Sequence, residues 1–156
     1  MRNNIAITYL RWIIAIPAGL LAWFAANHSI GMTFGFFHGY DVLASFWEAP
    51  DMDGMLFNGT YIIAITRIVA AASLVVVIIY TVPRYHKQVA VVATAVVSAG
   101  AVAILGFIWY QAFNADVSIS AEGWYKYILD MVSIIIGAIF GAWMAYGSRI
   151  RRSRAS

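Results

Sequence analysis

Arg11, Arg67 and Asp130 each stand within an otherwise apolar stretch, and their chemistry most needs explaining. The run YIIAITRIVAAASLVVVIIY, Tyr61 to Tyr80, is a membrane span in every respect except Arg67. A charge in hydrocarbon costs at least a few kcal/mol, so each implies a partner, a route to the headgroups, or an ion-relay role. On helical spacing Thr60, Ala64, Arg67 and Ala71 share one stripe, and Asp130, Ser133, Gly137 and Gly141 share another. Small residues let membrane helices approach closely, so Ser133, Gly137 and Gly141 are expected to pack against a neighbouring helix. The expected consequence is an intramembrane ion pair between Arg67 and Asp130. A third small stripe, Ala95, Ala99, Ala103 and Gly106, is expected to face protein for the same reason.

Arg11 differs, because no acid lies near its end of the first span. Its stripe of Thr8, Ala15, Ala18 and Ala22 is again small. Lipid phosphate is its default partner. Two others are open to it: the free carbonyls at the ends of the second and fourth helices, or an acid on another subunit.

Other residues have the right chemistry in the wrong arrangement. His28, His38, Asp41, Asp51 and Asp53, with Met32, Met52 and Met55, are ligand types for copper or zinc, but their spacing matches no metal motif. The chain has no cysteine, which removes thiolate chemistry and iron–sulfur clusters. All three histidines fall in expected loops, so no span offers an axial haem ligand. No nucleophilic triad or phosphate-binding glycine loop is present, and neither a catalytic residue, a metal nor a cofactor is expected. Asn27 and Asn58 each open a glycosylation pattern beside a membrane segment, where access is poor.

The elements that must position these residues follow from composition. Of 156 residues, 63% are hydrophobic and 11% charged, against roughly 45–50% and 25% in soluble domains. Four segments reach the roughly 20 residues that a span needs: residues 5–26, 59–82, 89–113 and 127–147. They predict a single all-α membrane domain, an antiparallel bundle of four transmembrane helices. Outer loops are expected at 27–58 and 114–126, an inner loop at 83–88 and a basic tail at 148–156. The first outer loop is aromatic-rich, and residues 40–49 are expected to form a short interfacial helix or to fold back over the bundle. Ser120 is expected to cap the fourth helix.

Charge sets the expected orientation. Arg2, Arg84, Lys87, Arg149, Arg151, Arg152 and Arg154 fall on one side, and Lys126 alone on the other. By the positive-inside rule both termini are cytoplasmic, as in a bacterial-type inner membrane. Arg149, Arg151 and Arg152 are candidate contacts for lipid or a partner. The net charge of +3 is dispersed along this side, which argues against nucleic-acid binding.

Two functions fit these residues. One is a non-enzymatic integral subunit or accessory protein of a larger membrane complex, bound to lipid and to other membrane subunits or copies of itself. The other is a small homo-oligomeric transporter or channel that uses the Arg67–Asp130 pair.

Overall fold

The computed structural model describes residues 2–38, 55–114 and 121–155, which are helical except for the turn at 82–85. The helices are α1 (Arg2–His38), α2 (Met55–Thr81), α3 (His86–Asn114) and α4 (Ala121–Ala155). Each holds a stretch long and apolar enough to cross a membrane: Ile5–Ile30, Ile62–Thr81, His86–Asn114 and Trp124–Gly147. The chain is therefore a multi-pass integral membrane protein.

Helix ends depart from the sequence expectation where hydropathy falls but helical hydrogen bonding does not. α1 continues through residues 27–38, which the sequence assigns to a loop. Phe24 stacks on His28 one turn later, with ring centroids 5.3 Å apart. Thr33 Oγ1 donates to the Ser29 carbonyl at 2.7 Å, so local polar groups turn back onto the helix. α4 likewise carries most of the basic tail as helix, to Ala155. The inner connection shrinks to Val82–Tyr85, because α3 already begins at His86. The expected interfacial helix at 40–49 and the Ser120 cap lie outside the described residues.

α2 is the hub. It packs against α1, α3 and α4; α4 also packs against α3, and among the described residues α1 lies against α2 alone. Among the described residues alanine supplies eight of the fifteen buried apolar ones, whereas Ile13, Leu21, Phe107 and Trp143 point outward. Lipid is as apolar as leucine, so burying large side chains gains little here, and close backbone approach holds the helices together. Two core clusters follow, Leu74, Val75, Ile79, Ala90, Ala138 and Ala145, then Ala71, Ala101, Met131 and Ile134. Trp23 of α1 packs against both.

The tightest approach is between α4 and α2. A Cβ added to Gly141 would lie 2.6 Å from the Ala72 carbonyl oxygen and 2.7 Å from its Cα. One turn earlier, a Cβ on Gly137 would meet the Ile68 backbone and lie 2.9 Å from Ala71 Cβ. Ser133, one turn before that, is buried at 3% exposure. Gly19 does the same for α1, where a Cβ would lie 2.6 Å from Ile78 Cγ1.

The small stripe of α3 does not meet the other helices of this chain. Ala95, Ala99, Ala103 and Gly106 are exposed, and a Cβ added to Gly100 or Gly106 would meet nothing within 4 Å. α3 instead turns Ala90, Thr94, Val97, Ala101 and Leu105 inward, and Thr94 Oγ1 donates to the Ala138 carbonyl at 3.4 Å. Both faces carry small residues at helical period, so periodicity alone does not choose between them.

Gly141→Ala therefore overpacks against backbone that cannot yield, at about 1–3 kcal/mol, against a helix-propensity gain of at most about 1 kcal/mol. Gly106→Ala takes the gain without the clash. Thermal unfolding in detergent is expected to show a lower midpoint for Gly141→Ala and none for Gly106→Ala.

Candidate functional site

Two polar nodes lie among the apolar contacts, and α2 contributes to both. The first is built on Arg67, in the second turn of its apolar stretch Ile62–Thr81. At 1.5 Å per residue it lies about 7 Å inside that stretch, and Asp130 lies about 9 Å inside Trp124–Gly147. The glycine contacts draw α4 close enough for the side chains to meet. Arg67 Nε donates to Asp130 Oδ1 at 2.6 Å, with the two side chains 24% and 15% exposed. Arg67 Nη1 donates to Asn27 Oδ1 of α1 at 2.9 Å. One guanidinium thus links three helices, including α1 and α4, which among the described residues do not otherwise pack together. Beneath it Thr66 Oγ1 turns back to the Ile62 carbonyl at 2.7 Å, so this buried hydroxyl is also satisfied.

The second node completes the far end of α2. A helix leaves its last four carbonyls without intrahelical donors. Here the Ile78 carbonyl accepts from Val82 N–H at 3.1 Å, and the Ile79 carbonyl lies 3.0 Å from His86 Nδ1. Arg11 covers the other two. Its Nε donates to the Thr81 carbonyl at 2.9 Å and its Nη2 to the Tyr80 carbonyl at 3.3 Å. Of the three partners the sequence leaves open to Arg11, the structure places it on helix carbonyls, where a cation also opposes the helix dipole. The chain then turns through Tyr85, whose φ of 61° lies in the left-handed region. The Tyr85 carbonyl accepts from Val89 N–H at 2.9 Å and opens α3.

Asn27 and His86 are the functional residues that sequence reasoning missed, since both were assigned to loops. The available signal for His86 was its position just past a helix end, where histidine commonly meets the last carbonyls. For Asn27 the signal was an amide one helical turn after Trp23, on a span that had not yet ended. Arg149, Arg151 and Arg152 fall in the helical last turns of α4. Among the described residues no three His, Asp or Glu side chains gather as a metal site. Of the loop ligand types, Asp41, Asp51, Asp53 and Met52 lie outside the described residues.

No family model matches the chain, and comparison with curated proteins and with solved structures finds no match either.

The geometry makes Asp130 the counter-ion of a partly buried cation. Asp130→Asn leaves Arg67 uncompensated and is expected to cost about 3–5 kcal/mol, whereas Arg67→Met with Asp130→Leu costs much less. Asn27→Ala removes one bond to a charged group, at about 1.5–3 kcal/mol. A double-mutant cycle read by thermal unfolding checks this order, and equal midpoints for wild type and Asp130→Asn would sink it.

Proposed function

We propose that this chain is a non-enzymatic integral subunit or accessory protein of a larger membrane complex, docked to its partner through the outward face of α3. The observation that carries the reading is the exposed stripe Ala95, Ala99, Ala103 and Gly106. Outward residues of the other helices are mostly large, such as Ile13, Leu21, Phe140 and Trp143. Alanine and glycine on a lipid-facing surface forgo lipid contact, but they allow a second helix backbone to approach. A partner helix on α3 would receive the close approach that α4 makes to α2.

The same proposal takes the fold as an antiparallel four-span bundle in a bacterial-type inner membrane, with both termini in the cytoplasm. Paired contacts support the chain directions: Arg11 meets Thr81 while Asn27 meets Arg67, and Gly137 meets Ile68 while Gly141 meets Ala72. The concentration of Lys and Arg at one set of helix ends supports the orientation.

A homo-oligomeric transporter working through Asp130 is the rival reading. Ion relay needs a carboxylate that water reaches and that exchanges its proton, whereas Asp130 is 15% exposed and held by Arg67 at 2.6 Å. That arrangement favours an architectural role.

Native mass spectrometry after mild extraction separates the two. An accessory subunit is expected in a defined hetero-complex that Ala99→Leu with Gly106→Leu dissolves, while the isolated variant keeps its melting midpoint. A homo-oligomer insensitive to that substitution, with ion flux in vesicles abolished by Asp130→Asn, would overturn the proposal.

A further inference from the structure

α1 and α3 both lean on α2 without packing on each other, and a groove of about 510 Å³ opens between them. Its floor is Leu74, Ile78 and Val82, with walls from Trp12 and Leu20 on one side and Val92 on the other. Tyr85 and Gln88 stand at one end. The lining runs from residue 12 to 20 on α1, 74 to 82 on α2 and 88 to 97 on α3. At 1.5 Å per residue each wall is about 12–14 Å long.

That length decides the occupant. A transmembrane helix would need a track of about 30 Å, whereas an acyl chain occupies one leaflet, about half of that. The groove starts at the α2–α3 turn and stops half-way, where Trp23 fills the core. Charge selects the headgroup. Exposed Arg84 and Lys87 flank Tyr85 and Gln88 in sequence. Arg11, beside Trp12, uses two of its five N–H donors on α2 carbonyls. The chain's seven acids, Asp41, Glu48, Asp51, Asp53, Asp116, Glu122 and Asp130, all lie far from this turn in sequence. Asp130 is drawn to Arg67, fourteen residues before Thr81 on α2, or about 21 Å away along the helix.

We propose that the α1–α3 groove is a binding site for an anionic phospholipid. One acyl chain lies along Leu74, Ile78 and Val82, and the phosphate is held by Arg84, Lys87 and the remaining donors of Arg11. The site belongs to the chain by itself and does not depend on a partner subunit.

The test is native mass spectrometry of the purified full chain, equilibrated with equal amounts of palmitoyl-oleoyl phosphatidylglycerol and the matching phosphatidylcholine. One phosphatidylglycerol per chain is expected to be retained, roughly tenfold or more over phosphatidylcholine, since each surface cation attracts anionic lipid. Arg84→Gln with Lys87→Gln is expected to reduce the preference to threefold or less. Val92→Trp, at an exposed wall position, is expected to remove retention of both lipids, whereas Val102→Trp, outside the lining, changes nothing. Equal retention of the two lipids, or retention unchanged in the charge variant or in Val92→Trp, overturns the proposal. Loss in Val102→Trp as well as Val92→Trp also overturns it, because retention would then not be confined to the groove.

Discussion

Hydrocarbon offers no hydrogen bonds, so each charge and each free carbonyl within a span must be answered by the protein, and in this chain α2 is where that demand is met. Arg67 lies toward one end of it and a row of carbonyls lies at the other. The answers come from different helices: Asp130 from α4, Asn27 and Arg11 from α1, His86 from α3. Satisfying α2 therefore assembles the rest of the structure around it. α1 shows this most clearly, because among the described residues α2 is the one helix it packs on and both polar nodes hold it there.

Packing and polar bonding depend on each other. Asp130 reaches Arg67 because Gly137 and Gly141 remove the side chains that would keep α4 away. The side chains of the ion pair are 24% and 15% exposed, and this partial burial strengthens the attraction between their charges. An alanine-rich core gives small apolar gain per residue, so fixing two helices in register falls to these few contacts. Elsewhere the side chains that would fill a soluble core are turned to lipid, as at Ile13, Leu21 and Phe107.

Much of this was readable from residue type and spacing. Runs of apolar residues marked four helices, and helical period alone set Arg67 and Asp130 on stripes of small residues. Three things were not readable, each for a physical reason. Helix ends were misplaced because hydropathy reports the edge of the lipid, while a helix stops only when its hydrogen bonds do; α1 runs on to His38, past the polar run of Asn27, His28 and Ser29. Which small face of α3 meets the other helices was not readable because Ala90 and Ala101 recur as regularly as Ala95 and Ala99. Asn27 escaped notice because a neutral amide raises no alarm in a sequence, although here it bonds a buried cation.

The order of Arg67's partners along the chain bears on how the protein is made. Asn27 precedes Arg67 by forty residues and Asp130 follows it by sixty-three. At a synthesis rate of roughly 5–20 residues per second, several seconds separate Arg67 from its counter-ion. Through that interval Asn27 is the one of these two partners already made. In order of synthesis the amide therefore comes first and the acid that neutralises Arg67 comes last.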